Sequence, residues 1–149
     1  MKKILIIIVV TIILVVAYWL ISPLFIERAI DESLEDITQE ETIETQIVSQ
    51  GTFEGLERHN GEGTASLIKI GDKHYIRFED DFRVTNGPDL FVHFGKDGEY
   101  VAEARLGDLK GNVGGQNYEV PENLDPNSYN EVWIWCRAFS TPFAKAVLN

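Results

Sequence analysis

The residue best suited to redox or ligand chemistry is Cys136, the only cysteine in the chain. A lone thiol can pair with another chain, bind a metal or simply pack in a core. A single cysteine excludes an internal disulfide framework and the Cys-x-x-Cys motifs of zinc and redox sites. The Cys-x-x-Cys-His motif of c-type haem attachment is also absent, so covalent haem of that kind is excluded.

Three histidines, His59, His74 and His93, are the other candidate ligands. A blue-copper site needs two histidines that converge on a cysteine, and no histidine or internal methionine follows Cys136 to form the usual local group. The sequence therefore predicts no metal site. It permits a non-covalent haem with Cys136 or a histidine as axial ligand, so the cofactor stays unknown. His93 lies in a predicted strand, where a partly exposed residue without a ligand role is the simpler interpretation.

Trp133 and Trp135 are two residues apart in a predicted strand, so their rings share one face of it. Cys136 lies on the opposite face, directed inward with Val132 and Ile134. The tryptophan face is suited to stacking on a sugar, holding a planar cofactor or contacting a partner, unless a loop covers it. The candidate site residues are therefore Cys136 as redox thiol or ligand, with Trp133, Trp135 and His93 around a cofactor.

The elements that must position these residues are short strands. From Gly51 onward, runs rich in β-branched and aromatic residues alternate with Gly, Pro, Asn and Asp turns. Such a pattern predicts an all-β domain, an antiparallel β-sandwich or flattened barrel of seven or eight strands. The predicted strands are 52–56, 65–70, 74–78, 90–94, 100–104, 116–120, 132–136 and 143–148.

An apolar segment precedes the domain. Between Ile4 and Ile21 the only polar residue is Thr11, and no charge occurs from there to Ile26. Eighteen residues at about 1.5 Å each span the hydrocarbon of a bilayer. We interpret residues 1–26 as a cytoplasmic stub and a transmembrane signal anchor; a cleaved secretory signal is the alternative. Lys2 and Lys3 precede the span, so the positive-inside rule predicts a single-pass protein with its N-terminus in the cytoplasm and its domain outside.

Residues 27–50 carry eight acids and one base. The apolar residues Ile30, Leu34 and Ile37 recur at helical spacing, so we expect a short acidic stalk, helical or partly disordered, before a domain at 51–149. The whole chain has a formal net charge of −11. Such a charge repels phosphate backbones and argues against a nucleic-acid partner.

Nine pieces of the domain stand in an order that resembles a known family, the DM-thirteen domain. It is also called the electron-transfer DM domain and accompanies DOMON domains in Skeletor-like proteins. The resemblance covers residues 51–149 and rests on Gly51-x-Phe53, Gly63-Thr-Ala65, Phe82-Arg-Val-Thr-Asn-Gly-Pro-Asp-Leu90, Leu106-Gly-Asp-Leu-Lys-Gly-Asn112, Gly114-x-Gln116-x-Tyr118, Pro121, Val132-x-Ile-Trp-Cys136, Phe139 and Phe143-x-x-Ala146-x-Leu148.

The resemblance implies a β-rich domain whose cysteine, Cys136 in this chain, acts in redox chemistry as a bare thiol or by holding a prosthetic group such as haem. We therefore expect a membrane-anchored extracytoplasmic domain with an electron-transfer role centred on Cys136. The alternative is a non-enzymatic ligand-binding or adhesion module with a structural cysteine. In either case the partner is an unknown protein or small molecule outside the cytoplasm. The Gly-x-Ser-x-Gly motif of hydrolases is absent, so at most a redox module is expected rather than an enzyme.

Overall fold

The computed structural model describes residues 2–22, 26–38 and 44–149. Helix α1 (Lys2–Ile21) has no charge after Lys3 and buries none of its side chains. Its 20 residues are long and apolar enough to cross a membrane. The membrane-crossing helix expected from the sequence is therefore present by length and composition. The last residues of the predicted span, 23–25, lie outside the described part of the chain.

The remainder is built from antiparallel strands, which confirms the predicted all-β fold. Eight strands form one sheet in the order β7-β6-β9-β10-β1-β3-β4-β8, and β2 pairs with β5 separately. Each of the eight predicted strands has a counterpart in the large sheet. The strands are β1 (Thr45–Gly55), β2 (Gly61–Glu62), β3 (Thr64–Ile70), β4 (Lys73–Phe78), β5 (Arg83–Val84), β6 (Leu90–Lys96), β7 (Glu99–Asp108), β8 (Gln116–Glu119), β9 (Glu131–Cys136) and β10 (Thr141–Val147).

The large sheet curls until its two edge strands approach each other. Tyr118 of β8 reaches the end of β7, where its hydroxyl accepts a hydrogen bond from the backbone N–H of Lys110 at 3.0 Å. The resulting half-barrel encloses one aromatic core. Phe78 packs against Phe53 and Phe82 with ring centroids 4.9 and 4.5 Å apart. Burial of the apolar side chains in this core is the main contribution to the stability of the domain.

The segment between α1 and β1 lies along the half-barrel. The backbone N–H of Ile30 donates to the carbonyl of Val113 at 2.9 Å, and that of Glu32 donates to Gly115 at 3.0 Å. Gly114 has a φ of +91°, and a Cβ there would lie 2.1 Å from the Ile30 carbonyl oxygen. The glycine-rich turn at 111–115 therefore leaves room for the segment between α1 and β1 to pack against it.

Side chains of the same segment also contact the half-barrel. The Glu32 carboxylate accepts from Lys110 Nζ at 2.7 Å, and its carbonyl accepts from the buried Arg77 at 2.8 Å. Leu34 and Ile37 pack against a small apolar cluster on β3 and β4. We call residues 26–38 the strap.

The strap differs from the sequence-based expectation for residues 27–50. The strap is extended, with one turn at 34–37, and is not a helical spacer. Its apolar residues cover the sheet, and the glycine-rich turn accepts hydrogen bonds from its backbone N–H groups. Strand β1 begins at Thr45, so the last residues assigned to the stalk belong to the sheet. Residues 39–43 lie outside the described ranges.

Candidate functional site

Strands β6 and β9 lie side by side and position the predicted site residues. On their inner face, Val92, Ile134 and Cys136 are fully buried in the core. Cys136 is a free cysteine with none of its surface exposed, and it lies opposite Leu90 of β6. The alternation of side chains therefore directs the only thiol away from solvent.

The outer face of the same two strands carries a small cleft of about 230 Å³. Phe91 of β6 lies opposite Trp135 of β9, and His93 lies opposite Trp133. Strand β7 completes the cleft, because its pairing with β6 places Arg105 beside His93. We call this feature the outer-face cleft; its side-chain walls are Phe91, His93, Tyr100, Arg105, Trp135 and Arg137.

Three rings in the outer-face cleft contact one another. Tyr100 stacks on Trp135 with centroids 4.2 Å apart and planes 13° from parallel. His93 lies beside Tyr100, with ring centroids 4.8 Å apart. Tyr100 and Trp135 are half-buried, whereas His93 is 5% exposed. The stack therefore connects a buried imidazole to the surface.

The hydrogen bonds of His93 define its tautomer. Its Nδ1 lies 3.3 Å from the carbonyl oxygen of Val101, which can only accept. Nδ1 therefore carries the hydrogen, and Nε2 is left as an acceptor. The Tyr100 hydroxyl, 3.4 Å from Nε2, is the donor that faces it.

Burial sets the protonation states of this pair. Desolvation lowers the pKa of His93, the Val101 carbonyl partly opposes this, and the Arg105 cation lowers the pKa further. Desolvation raises the pKa of Tyr100. At neutral pH the cleft therefore holds a neutral imidazole beside a protonated phenol.

Two cations flank Phe91. The guanidinium carbon of Arg105 lies 4.0 Å from the ring centroid of Phe91, and that of Arg137 lies 4.7 Å from it. Each arginine also pairs with a carboxylate, Arg137 with Asp89 at 2.8 Å and Arg105 with Asp108. The cleft is therefore aromatic, with positive charge at its rim that nearby acids balance.

Trp133 does not share the cleft, although the sequence pairs it with Trp135. Its side chain is buried, and its Nε1–H donates to the Glu131 carboxylate at 2.9 Å. A Cβ on Gly95 would lie 2.2 Å from Nε1, so the indole packs directly on the β6 backbone. Lys145 Nζ covers the ring at 5.6 Å. The tryptophan face is therefore covered at Trp133 and partly open at Trp135.

The three histidines do not converge on Cys136. His59 stacks on Phe143 with centroids 3.6 Å apart, and His74 lies on β4, away from β9 in the sheet. Within the described ranges, no group of three or more His, Cys, Asp and Glu side chains could hold a metal ion.

A non-covalent haem, which the sequence permits, would need an accessible axial ligand and a pocket large enough to hold it. Cys136 has no exposed atom to offer as a ligand, and both ring nitrogens of His93 face protein partners. The outer-face cleft is also smaller than the roughly 300–1,000 Å³ of ordinary ligand pockets. Cys136, His93 and the outer-face cleft therefore do not fit a haem in this arrangement.

Of the predicted site residues, the structure brings together His93 and Trp135. It separates Cys136 onto the inner face and buries Trp133 beside the cleft. Sequence reasoning missed Tyr100 and Arg105. The Lys96-Asp-Gly turn could have indicated them, because a tight hairpin folds β7 back along β6 and returns its side chains to the level of His93.

The fold and the outer-face cleft define a curled, antiparallel β domain preceded by a helix that could cross a membrane. The family model described as "Electron transfer DM13" matches residues 52–148, more than half of the chain. The chain therefore belongs to the electron transfer DM13 family, as its sequence motifs suggested. Neither a curated protein nor a solved structure matches it.

Proposed function

We propose that this chain is a membrane-anchored electron-transfer domain that functions outside the cytoplasm. Membership of the electron transfer DM13 family is the observation that carries the proposal. Helix α1 supports the anchor, and Lys2 and Lys3 before its apolar run favour a cytoplasmic N-terminus. In this arrangement residues 1–26 are the stub and anchor, and the β domain lies on the other side of the membrane.

The strap supports a position close to the membrane surface. Arg28 is hydrogen-bonded to Asn112 through its backbone N–H at 2.7 Å and its carbonyl at 3.0 Å. Arg28 lies only seven positions after Ile21 at the end of α1, and even a fully extended chain of seven steps spans at most about 25 Å. The domain is therefore proposed to sit against the bilayer rather than at the end of a long stalk.

The outer-face cleft is the proposed point of electron exchange, because Tyr100 and Trp135 present partly exposed aromatic edges there. The sequence-based hypothesis centres the redox role on Cys136 instead. A thiol must be reachable to attack a disulfide or bind a metal, and Cys136 is fully buried. A redox role for Cys136 therefore requires the core around it to open.

Electrochemistry of the full chain in detergent micelles tests the proposal. We expect reversible electron exchange with a small mediator, retained in Cys136→Ala and reduced in Trp135→Leu, with both variants folded by circular dichroism. The visible spectrum and metal content of the same samples report any bound group. Absence of electron exchange in the folded wild-type chain would overturn the proposal, and its loss in Cys136→Ala alone would return the redox role to the thiol.

A second candidate function is a non-enzymatic binding or adhesion module with a structural cysteine. The observation that favours it is the outer-face cleft itself, where Arg105 and Arg137 at an aromatic rim suit a small planar anion. Binding of benzoate and related aromatic carboxylates, followed by tryptophan fluorescence, tests it. This candidate predicts binding that Trp135→Leu abolishes and Cys136→Ser keeps, together with no electron exchange.

A further inference from the structure

We infer that Tyr100, His93 and Trp135 form a relay that moves one electron out of the domain while one proton moves within it. The inference deepens the proposed electron-transfer function and rests on it. It assigns the redox-active group to the outer-face cleft, where sequence reasoning did not place it. Three features carry it: the direction of the Tyr100–His93 hydrogen bond, the stack on Trp135, and the charges around the imidazole.

The first feature is a proton acceptor in line with the Tyr100 hydroxyl. Because Nδ1 of His93 donates to Val101, Nε2 presents its lone pair to the phenol 3.4 Å away. A phenol loses an electron far more readily when its proton can leave at the same time, and a positioned imidazole is a general base for that transfer.

The second feature is a contact between Tyr100 and the surface. The indole of Trp135 stacks on the phenol at 4.2 Å and is itself half-buried, so it gives a partner an aromatic edge to approach. His93, which faces the hydroxyl of the phenol, is only 5% exposed. The electron therefore leaves toward solvent while the proton stays on the buried imidazole of the outer-face cleft.

A one-electron oxidant of the metal-complex class, in its oxidised form, takes one electron from Tyr100 through Trp135 and is reduced. The O–H bond of Tyr100 breaks, and its proton forms an N–H bond with Nε2 of His93. The products are a neutral phenoxyl radical at Tyr100, an imidazolium at His93 and the reduced carrier. Return of one electron from a reduced carrier reverses both transfers and restores the phenol.

The third feature is the charge around His93. Arg105 of β7 disfavours the imidazolium, and Arg137 in the turn after β9 adds a second cation at the cleft wall, whereas Glu103 of β7 lies near Tyr100 with the opposite charge. Burial also disfavours the imidazolium. The proton on His93 is therefore held at high free energy, which drives its return once the electron comes back.

Two other tyrosines whose hydroxyls are hydrogen-bonded to a side chain, Tyr118 and Tyr75, lack this arrangement. The buried Tyr118 donates to the Gln116 amide oxygen at 2.7 Å, which is not a base that accepts a proton at neutral pH. Tyr75 faces the Glu119 carboxylate at 3.5 Å but contacts no second redox-active ring. Tyr75 is therefore a matched control for Tyr100.

The full chain in detergent micelles is mixed with ruthenium tris-bipyridine and persulfate. A laser flash then generates ruthenium(III) tris-bipyridine, which is the one-electron oxidant. Transient absorption gives the rate of tyrosyl radical formation, and electron paramagnetic resonance of frozen samples identifies the radical. We expect the fast phase and its signal to be lost in Tyr100→Phe and kept in Tyr75→Phe. His93→Gln keeps a hydrogen-bond acceptor but not the base, so we expect the rate to fall about 100-fold or more.

Two further measurements keep the test decisive. In the wild-type chain the fast phase slows in deuterated water, which requires no substitution at the buried His93. Trp135→Phe keeps the stack but removes the indole, and it slows the phase less than His93→Gln does. An unchanged fast phase in folded Tyr100→Phe, or the wild-type rate in folded His93→Gln, would overturn the relay.

The two proposals fail in different ways. Electron exchange that persists in Tyr100→Phe disproves the relay and leaves the electron-transfer function in place. A fast Tyr100 radical with ruthenium, combined with no electron exchange between the anchored chain and a mediator, keeps the relay chemistry and disproves the proposed function.

Discussion

Two faces of the same pair of strands differ sharply in this domain. The inner face of β6 and β9 carries Val92, Ile134 and Cys136, all without exposed surface. The outer face carries His93 and Trp135, which line a cleft; His93 faces the Tyr100 hydroxyl, and Trp135 stacks on the Tyr100 ring. Consecutive residues along β9 therefore experience opposite surroundings, although the motif around Cys136 reads as one unit in the sequence.

Residues that are adjacent along a strand therefore need not belong to the same site. Trp135 and Cys136 are neighbours in sequence, but the sheet lies between their side chains. A buried thiol among apolar neighbours is suited to packing, whereas stacked rings with a directed hydrogen bond are suited to charge movement. The two faces should therefore respond to different perturbations.

The largest effect is expected on the inner face. Ile134→Ala removes a fully buried side chain from the core and should lower the free energy of unfolding of the β domain by about 2–5 kcal/mol. Urea unfolding in detergent, followed by circular dichroism in the strand region, measures it. Trp135→Leu on the outer face is the control and should cost less. Equal losses at the two positions would contradict the division into faces.

The pattern of β-branched and aromatic runs predicted the fold well, because alternation and turn residues are local signals. The alternation also placed Cys136 inward and Trp135 outward. The strap was missed because its partner, the turn at 111–115, is about 80 residues away in sequence, and helical spacing at Leu34 arises equally from a segment that covers a sheet. Tyr100 was missed because its role depends on the register between β6 and β7.

Gly95 of β6 is a position where an added methyl group should disturb the packing of Trp133. Its Cα lies under Trp133, and a Cβ would meet the indole at 2.2 Å with the Glu99 carbonyl at 2.9 Å behind it. Gly95→Ala should therefore cost about 1–3 kcal/mol through overpacking and shift the tryptophan fluorescence. Gly107→Ala is the matched control, because its Cβ would make an ordinary 3.7 Å contact with Tyr118. A stable Gly95→Ala with unchanged fluorescence would show that Trp133 is not wedged there.

A smaller effect is expected when the thiol alone is changed. Cys136→Ser places a hydroxyl in an apolar core and should cost about 1–2 kcal/mol more than Cys136→Ala. Labelling of the wild-type thiol by a maleimide should be slow in buffer and accelerate with the fraction of unfolded domain in urea. Fast labelling of the folded chain would place Cys136 at the surface and undo the contrast between the faces.

The smallest expected effect is a pH dependence that belongs to the outer face. Burial holds the pKa of His93 below its ordinary value of about 6.5, so the unfolded chain binds a proton that the folded chain does not. The stabilising contribution of the neutral imidazole is therefore full above about pH 6.5 and is lost as the pH falls toward the folded pKa.

His93→Gln should flatten that part of the stability curve, whereas Cys136→Ala should keep it. His59→Gln removes a separate part, since burial also lowers the pKa of His59. Thermal unfolding between about pH 7.5 and pH 5.5 measures all four chains. Parallel curves for the wild type and His93→Gln would mean that the imidazole is not held neutral by the fold, and the acceptor beside Tyr100 would no longer follow from its burial.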